Sequence, residues 1–408
     1  MKKIIHLAFV LCLLFACSTT GLQDSVLTLN NNETIPLSDA LDNLDLFLTR
    51  LNSTSNTKSV SQKSYSEDSI FAVGSTSFNT NDLEQDQVDN DTLMYVVNFD
   101  NDEGYAILAA NKLVPNPVIC LTEKGHISKE LFSAAKKILK GDNNSLENAN
   151  DSLWVPMLLY AYAERTRANI IDPGDPGPIG GGNGPGGIIG PYLMTKWAQN
   201  PAPYNSILPG PYAGCVVVAV AQIMAYEEYA STMIFNDVTC TWAAMKSVHT
   251  YPFPNYAGTA TGQNQIANFF YELGKPSNCN VTYNTNGSPA VDDNARKTLV
   301  NYGYSNATIH HGPTGFTNTL HSIVRSQLFS GHPVYCGGMS CSSSGHAWVI
   351  DGYYAGLYHI NWGWGGLSDG YYSAGLFDTT QRDSISSIDS GGEVMPQSFT
   401  FGFEVITY

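Results

Sequence analysis

Residues 211–224 read PYAGCVVVAVAQIM, and they decide the fold because almost every side chain in them is apolar. Tyrosine, alanine and glycine lead Cys215 directly into an unbroken apolar run. The three consecutive valines at 216–218 favour a strand when taken alone. The length of the run and its continuation, AVAQIMAYEEYA, favour a helix that is apolar nearly all round and therefore buried. We predict a buried helix over residues 215–230, with Cys215 at its head.

The position of Cys215 admits a reactive and a structural interpretation. Unpaired backbone N–H groups and the positive end of the helix dipole stabilise a thiolate at a helix N-terminus. Such places can lower the pKa of a thiol from about 8.5 to roughly 3.5–7.5. Gly214 permits an unusual backbone angle and the close approach of a substrate. Free cysteine is also among the most buried residue types, so this stretch alone leaves both interpretations open.

Two later segments supply partners for a reactive thiol. In GHAWVIDGY, His346 follows a serine-glycine turn and opens an apolar strand. In HINWGWGG, Asn361 and Trp362 follow a short hairpin turn. An asparagine oxygen can accept the imidazole Nδ1–H and fix the ring, while the tryptophan shields that hydrogen bond from water. His346 and Asn361 follow Cys215 by 131 and 146 residues, and papain-type enzymes use separations of about 130–150.

The region upstream predicts a smaller domain of mixed structure. Leucines at helical spacing predict a helix over residues 36–51. The polar stretch from Asn52 to about Gln87 predicts exposed loop. MYVVNFDNDEGYAILAANK alternates and turns at Asp-Asn-Asp-Glu-Gly, as a β-hairpin does. Residues 151–166 predict a second helix, with Pro156 in its first turn.

A glycine- and proline-rich stretch, DPGDPGPIGGGNGPGGIIGP, separates the two parts of the chain. This composition forms neither a helix nor a paired strand, so we assign residues 172–190 to a linker between domains at 18–171 and 191–408. A phosphate-binding loop would need a preceding strand and a following helix, and neither is predicted here. Beyond the linker, HPVYCGGM, HAWVIDGYYAG, LYHINWGW and SFTFGFEVITY predict antiparallel strands. Residues 215–230 are the one strong helix candidate there.

The first 17 residues predict export. MKK is followed by IIHLAFVLCLLFA, an apolar stretch that is short for a membrane span. LFAC followed by STT resembles a bacterial lipobox with Cys17 as the lipid-bearing residue, and an ordinary secretory signal cut nearby is the alternative. We therefore expect an outer-membrane or cell-surface lipoprotein whose catalytic domain is periplasmic or extracellular after release.

Charge and cysteine content limit the possible partners and cofactors. Acidic residues outnumber basic ones by 36 to 20, and no cluster of lysine and arginine is present to bind phosphates, so nucleic acid is not an expected partner. Five of the eight cysteines lie in the C-terminal half, and an odd number in an exported protein suggests a free thiol. Cys336, Cys341 and His346 form C-x₄-C-x₄-H, but structural zinc takes four ligands, and no fourth candidate stands out.

No metal or other cofactor is therefore expected, and a disulfide or two free thiols suit Cys336 and Cys341 better. Six further polar residues are assigned to surface, hydrogen-bonding or turn roles: His310, His311, His332, His359, Asp351 and Asp369.

Four motifs together resemble the streptopain-like cysteine peptidases of the papain clan: TKWAQNPAPYN, AGCVVVAVAQIMAY, GHAWVIDGY and HINWGWGGLSDGYY. The upstream segment YVVNFDNDEGYAILAANKLVPNPVICLTEKG resembles the inhibitory propeptide of that family. The resemblance implies an α+β fold: a papain-like catalytic domain, with a buried nucleophile helix packed on a twisted antiparallel sheet, preceded by a smaller α+β propeptide domain. It further implies that Cys215 is the nucleophile, His346 the base, Asn361 the orienting residue and Trp362 its cover.

The resemblance has one gap. PVYCGG places Cys336 and Gly337 where the family's type member has a glutamine that helps to line the oxyanion hole. The backbone N–H of Cys215 remains an expected donor, and the second donor is unassigned. The loss of one such donor can cost about 10²–10³ in rate.

The expected function is that of a cysteine endopeptidase made as a zymogen. Residues 18 to about 170 would block the cleft, and cleavage within 172–191 would release the enzyme. Its partners would be protein or peptide substrates, its own propeptide, and a membrane through a lipid on Cys17. The resemblance also implies an apolar preference at the residue preceding the one whose carbonyl is attacked. The alternatives are a catalytically impaired surface binding protein and a thiol amidase or acyltransferase.

Overall fold

The computed structural model describes residues 34–54, 63–74, 92–128, 188–229, 233–249, 257–373, 377–378 and 398–408, without residues 113, 115, 116, 286, 314, 341–344 and 355. Four features expected from the sequence lie outside the described residues. These are the signal region with Cys17, the helix at 151–166, Cys341 and most of the linker at 172–190.

Residues 34–128 form an N-terminal lobe in which one helix lies on an antiparallel sheet. Its elements are α1 (Leu37–Thr54), β1 (Ile70–Gly74), β2 (Thr92–Asn98), β3 (Tyr105–Ala109) and β4 (Val118–Thr122). The expected helix is α1, and its buried Leu44 shares one apolar cluster with Leu108 of the sheet. The expected hairpin is the β2–β3 pair, in which Val96 lies opposite Ile107.

Strand β1 corrects the expectation of exposed loop between residues 52 and 87. Ile70 lies opposite Val97 of β2 in antiparallel register. Ile70 is buried in the cluster beneath α1, and Phe71 is buried in the cluster on the other face of the sheet. The short apolar segment IFAV thus forms a strand covered on both faces, although the polar composition around it predicts loop.

Residues 188–408 form a C-terminal lobe of helices around a sheet. Its helices are α2 (Cys215–Glu227), α3 (Trp242–Lys246), α4 (Ala260–Gly274), α5 (Asp292–Asn301) and α6 (Asn318–Phe329), and its strands are β5 (Met233–Phe235), β6 (Val238–Cys240), β7 (Thr308–Gly312), β8 (Val334–Ser340), β9 (Gly345–Tyr354), β10 (Leu357–Asn361), β11 (Gly370–Ser373), β12 (Phe377–Asp378) and β13 (Ser398–Thr407). The four runs predicted as strands correspond to β8, β9, β10 and β13. No helix in the described residues is long and apolar enough to cross a membrane.

One antiparallel sheet runs through both lobes. Its order is β1-β2-β3-β4-β11-β10-β9-β8-β13-β12, with β7 beside β13. Leu121 of β4 lies opposite Tyr371 of β11, so the N-terminal lobe extends the sheet of the C-terminal lobe by backbone hydrogen bonds. The predicted α+β fold, with a buried helix on an antiparallel sheet, is confirmed.

Helix α2 is the centre of the C-terminal core. Every residue from Val216 to Ala225 is buried, and the helix packs against β9 on one side and α4 on the other. It ends at Glu227, after which Glu228 takes the left-handed conformation (φ 47°). The three valines are helical here despite their preference for strands. A fully buried segment must hydrogen-bond its backbone N–H and C=O groups, and a helix of this length does so within the segment itself.

Four helices contradict the expectation of a single strong helix in this lobe. The longest, α4, begins at Thr259, whose hydroxyl accepts a hydrogen bond from Gly262 N at 3.0 Å. Thr317 caps α6 in the same way, with Leu320 N at 3.3 Å. Such caps satisfy backbone N–H groups that the first turn leaves unpaired. The N-caps and the one-sided apolar spacing of these helices are weaker sequence signals than the long apolar run of α2, and sequence reasoning missed them.

Candidate active site

Gly214 fixes the direction in which the chain enters α2. Its φ is +92°, a region that other residues rarely adopt. A Cβ at this position would lie 2.6 Å from the carbonyl oxygen of Ser288. Both the backbone angle and the close approach of a neighbouring loop therefore require glycine immediately before Cys215.

Replacement of Gly214 by alanine is expected to lower the free energy of unfolding by about 2–3 kcal/mol, because strain at positive φ adds to the clash with Ser288. Gly331 provides a matched control, since its φ is +89° but a Cβ there would meet nothing within 4 Å. Gly331→Ala should therefore cost about 1 kcal/mol. Urea unfolding of both variants measures the difference, and equal costs would show that the contact with Ser288 is unimportant.

Cys215 is half-buried at the first position of α2. Burial raises the pKa of its thiol to about 11, and the nearby Asp292 carboxylate adds to the rise. The backbone N–H groups of Ala347 and Val216 act in the opposite direction and favour the thiolate. The lowering of a thiol pKa that a helix N-terminus can produce is therefore absent from this arrangement, because desolvation outweighs the N–H groups around the sulfur.

His346 is the second residue of β9, and its ring lies in an aromatic cage. The ring centroid is 4.5 Å from that of Trp364, and the rings of Trp348, Trp362 and Phe399 lie 5.7–6.2 Å away. Nε2 is 2.9 Å from the carbonyl oxygen of Trp362. Since a carbonyl can only accept, Nε2 carries a proton and donates it to this bond.

The structure brings the backbones of the two candidate residues together but not their side chains. Ala347, whose backbone N–H favours the Cys215 thiolate and so lowers its pKa, is the immediate neighbour of His346. Within the described residues, the ring of His346 makes no hydrogen bond to that sulfur. The nucleophile and its expected base are thus adjacent, with the imidazole turned toward Trp364.

Asn361 lies at the end of β10 and is fully engaged elsewhere. Its Oδ1 accepts hydrogen bonds from Gln222 Nε2 at 2.9 Å and from Gly363 N at 3.1 Å. Its Nδ2 donates to the carbonyl of Thr195 at 3.0 Å. In this arrangement the amide ties β10 to α2, and its oxygen holds neither nitrogen of His346.

Gln222 is a site residue that sequence reasoning missed. Besides its bond to Asn361, it accepts hydrogen bonds from Thr195 Oγ1 at 3.1 Å and from Trp197 N at 3.3 Å. It thereby fixes Asn361 relative to the helix that carries Cys215. The available signal was a single amide side chain in the middle of an otherwise apolar helix, since a buried polar group needs partners.

Trp362 is fully buried and stacks on Trp364, with ring centroids 5.5 Å apart and an interplanar angle of 12°. Its backbone N–H donates to Asp369 Oδ1 at 2.9 Å. Its ring covers one side of His346 rather than a bond between His346 and Asn361. Within the described part of the chain, the indole nitrogens of Trp348 and Trp362 have no hydrogen-bond partner.

Several of the remaining sequence candidates are hydrogen-bonded or ion-paired residues. His310 pairs with Thr407, His311 with Glu404 and His332 with Glu227. Within the described residues, no group of three or more His, Cys, Asp and Glu side chains is placed to hold a metal ion. Among the described residues, four cysteines of the C-terminal lobe are free thiols: Cys215, Cys240, Cys279 and Cys336.

Asp351, Asp369 and His359 are not simple turn or surface residues, because they form a buried charge cluster between the lobes. His359 Nδ1 lies 2.6 Å from Asp351 Oδ1, and Lys196 Nζ lies 2.8 Å from Asp369 Oδ2. Glu123 of the N-terminal lobe binds both cations, with one oxygen 3.2 Å from His359 Nε2 and the other 3.3 Å from Lys196 Nζ. The carboxylate of Glu123 thus joins the lobes at the point where β4 meets β11.

In this cluster, charged neighbours outweigh burial in setting the pKa values of Glu123 and His359. Burial alone would raise the pKa of Glu123, but Lys196 and then His359 hold it well below its usual range. Burial would likewise lower the pKa of His359, but Asp351 and then Glu123 raise it to about 10. Glu123 and His359 are therefore both charged at neutral pH.

The contacts at Glu123 are expected to survive mild acid and to fail in alkali. The depressed pKa of Glu123 means that its stabilisation is complete above the unfolded pKa of about 4.3 and is lost only well below it. The raised pKa of His359 means that its stabilisation is complete below about 6.5 and is lost as pH rises through about 10. In a Cys215→Ala chain cut at an inserted protease site within residues 172–187, gel filtration should find the lobes together at pH 4.5 and 7. Separation at pH 4.5 would contradict this.

Comparison with known proteins also indicates a peptidase for the segment that contains Cys215. Residues 197–372 match the Peptidase C10 family. Streptopain of Streptococcus pyogenes serotype M28 (strain MGAS6180) is 29% identical over 205 residues, covering 45% of this chain and 51% of that protein. The chain thus spans about half the length of the curated streptopain that it matches.

Two further relatives extend over more of the chain. The thiol protease/hemagglutinin PrtT of Porphyromonas gingivalis is 24% identical over 342 residues, covering 77% of this chain and 37% of that protein. A fragment of Prevotella intermedia prointerpain A is 24% identical, with a TM-score of 0.49, and the match covers 77% of this chain and 94% of that one.

Proposed function

We propose that this chain, whose residues 197–372 match the Peptidase C10 family, is a streptopain-like, exported cysteine endopeptidase made as an inactive precursor. The observation that carries the proposal is the position of Cys215, at the first residue of α2 and inside the segment that matches the peptidase family. It supports a nucleophile at the head of α2. His346 lies on β9, the strand that packs against this helix, so a turn of its ring toward Cys215 would give the site the parts of a thiol hydrolase.

Peptide hydrolysis at this site would proceed in two steps. The Cys215 thiolate attacks the scissile carbonyl and forms a C–S bond, and protonated His346 gives its proton to the leaving amine as the C–N bond breaks. Water then attacks the thioester and forms a C–O bond while His346 accepts a proton from it; the C–S bond breaks, the acid product leaves, and the Cys215 thiolate and protonated His346 are restored. The backbone N–H of Cys215 would donate to the oxyanion at the N-terminus of α2.

The arrangement in this structure supports the proposal of an inactive precursor. With a pKa of about 11 and no bond to His346 in the described residues, Cys215 holds the thiol form at neutral pH. Activation requires the ring of His346 to leave the face of Trp364 and to turn toward the sulfur. The docked N-terminal lobe supports the role of an inhibitory propeptide, since it extends the sheet through β11, two strands from β9.

Release would follow a cut within residues 172–191, because exposed glycine- and proline-rich chain is a preferred site of proteolysis. If Cys17 carries a lipid, the same cut frees the catalytic domain from the membrane, since the anchor stays on the N-terminal fragment. Substrates are proteins or peptides in the periplasm or outside the cell. Active enzyme still attached to a lipidated fragment would contradict this mode of release.

A time course of residues 18–408, without lipid and in reductant, tests the function. The native chain should be cut within residues 172–191, while Cys215→Ala should stay whole and Cys240→Ala, which alters a buried thiol of β6, should be cut normally. Gel electrophoresis and mass spectrometry locate the cut. Cutting of the Cys215→Ala chain at the same rate would refute the assignment of the nucleophile.

A binding protein without peptidase activity is the second candidate, because His346 is held away from Cys215 in this structure. The same preparation separates the two. If neither chain cuts itself, an external protease is added and casein hydrolysis is measured. Hydrolysis that depends on Cys215 supports an externally activated peptidase, and its absence supports the binding protein.

A further inference from the structure

Asp369 lies between the docked N-terminal lobe and the residues that hold His346. Its side chain is fully buried, and its Oδ2 lies 2.8 Å from Lys196 Nζ. Its Oδ1 accepts a hydrogen bond from the backbone N–H of Trp362 at 2.9 Å. The carbonyl of Trp362 in turn accepts a hydrogen bond from His346 Nε2 at 2.9 Å. One buried carboxylate thus joins Lys196 to the residue whose carbonyl holds the expected base.

Lys196 carries this link to the N-terminal lobe. Its Nζ lies 3.3 Å from Glu123 Oε2 and 2.8 Å from Asp369 Oδ2, so the ammonium is shared between one carboxylate of each lobe. The pairing of β4 with β11 places Glu123 there, since its backbone N–H donates to the carbonyl of Asp369 at 2.8 Å, directly after the ladder. Glu123 and Asp369 therefore meet twice, once through their backbones and once through the lysine.

The segment around Lys196 reaches the same site by a second route. The carbonyl of Thr195 accepts a hydrogen bond from Asn361 Nδ2 at 3.0 Å. Ala198 forms an antiparallel bridge with Trp364, the residue whose ring lies 4.5 Å from that of the expected base. The backbone on either side of Lys196 therefore runs beside both the expected orienting residue and the aromatic cage. A displacement of this lysine acts on both.

Docking of the lobe keeps water away from the ion pair of Lys196 and Asp369. In the docked state the side chain of Lys196 is 22% exposed, and that of Asp369 is fully buried. Departure of β4 removes Glu123 and opens this end of the pair to water. An ion pair in water contributes little, because solvent screens the charges and ordering a long side chain costs entropy. Release of the lobe is therefore expected to loosen the hold of Asp369 on Trp362.

We propose that Asp369 is a positioning residue of the candidate active site, through which the docked lobe fixes the backbone of Trp362 and so keeps His346 in the aromatic cage. Lys196 is the link between Asp369 and the lobe. Once the lobe has left, the carbonyl of Trp362 is held less firmly, and the ring is free to turn toward Cys215. Docking thus biases which of two positions of one imidazole is populated. The inference rests on the proposed role of His346 as the base.

The test is the position of the His346 ring in the full chain, observed by NMR with carbon-13 at histidine Cε1. The parent chain carries Cys215→Ala, which prevents cutting by its own thiol, and His346→Gln identifies the resonance. Because the ring lies 4.5 Å from that of Trp364, the ring current displaces its signal from that of a solvated histidine. Glu123→Gln should raise the ratio of uncaged to caged ring by about fivefold or more, as expected for two coupled sites.

Asp369→Asn keeps an oxygen for the N–H of Trp362 but removes the charge that faces Lys196, so it should release the ring at least as much. Addition of Glu123→Gln to it should change little further, because both replacements break the same link. Asp351→Asn is the matched control and should leave the signal in place. Asp351 belongs to the same cluster, but its Oδ1 lies 2.6 Å from Nδ1 of the cluster's histidine.

Coincident signals for the parent chain and Glu123→Gln would overturn the proposal, and so would an equal displacement by Asp351→Asn. A merely structural role of Asp369 would lower the unfolding temperature without moving the His346 signal. Thermal unfolding checks each variant. If Asp369→Asn does not fold, Glu123→Gln against Asp351→Asn decides the question, since Lys196 keeps Asp369 in the former. The chain used has no nucleophile, so absence of casein hydrolysis by the native chain would refute the proposed function while leaving this result intact.

Discussion

Replacement of His346 by alanine is expected to lower kcat/KM of the released catalytic domain by about 10⁴-fold or more, comparable to the loss of a catalytic histidine in other nucleophilic hydrolases. The reason is the pKa of Cys215. At a pKa of about 11, roughly one thiol in 10⁴ is ionised at pH 7. An imidazolium beside the sulfur is the means by which the chain can convert this thiol into a nucleophile, and the same ring supplies the proton for the leaving amine.

The measurement is hydrolysis of a fluorogenic peptide with an apolar residue before the one whose carbonyl is attacked. His249→Ala provides the control, because His249 is exposed and its ring forms a local hydrogen bond with the carbonyl of Ser247 at 3.2 Å. The control should stay within twofold of the native rate. A loss below tenfold for His346→Ala would mean that the aromatic cage is the permanent place of His346 and that another group activates Cys215.

The fold could be predicted from the sequence where a local pattern was strong. The apolar run of α2, the glycine before Cys215 and the alternating runs of β8, β9, β10 and β13 each carry their signal within about ten residues. The strand β1 and the helices α3 to α6 carry weaker local signals. Their positions are decided by the apolar surfaces that α2 and the sheet offer to them.

The candidate site, like the fold, could be predicted from the sequence only in part. The residue types and their spacing predict Cys215 and His346, and the structure places their backbones side by side. The direction of the imidazole depends on Trp364 and on the carbonyl of Trp362, which are contacts that spacing cannot reveal. Glu123 was missed because its partners, Lys196 and His359, lie 73 and 236 residues away.

Replacement of Glu123 by glutamine is expected to weaken the binding of the cut N-terminal fragment to the catalytic domain by about 30-fold. The change removes the charge that faces Lys196 and His359, and hydrogen bonds to charged groups contribute about 1.5–3 kcal/mol. The loss is limited to about 2 kcal/mol, roughly 30-fold in the dissociation constant. Lys196 keeps Asp369 at 2.8 Å, and His359 keeps Asp351 at 2.6 Å, so neither cation is left buried without a partner.

The inhibition constant of the separated fragment against the released domain measures this effect. Glu67→Gln is the matched control, since Glu67 lies on the same lobe in an exposed position and should leave inhibition unchanged. Lys196→Met in the catalytic domain should weaken its binding of the native fragment more than its binding of the Glu123→Gln fragment. The Glu123→Gln fragment has already lost the contact with Lys196, so the second replacement removes less. Additive effects of the two changes would show that Glu123 and Lys196 act independently. In that case the lobes would be held by the β4–β11 backbone pairing, and the charge cluster would serve the stability of each lobe separately.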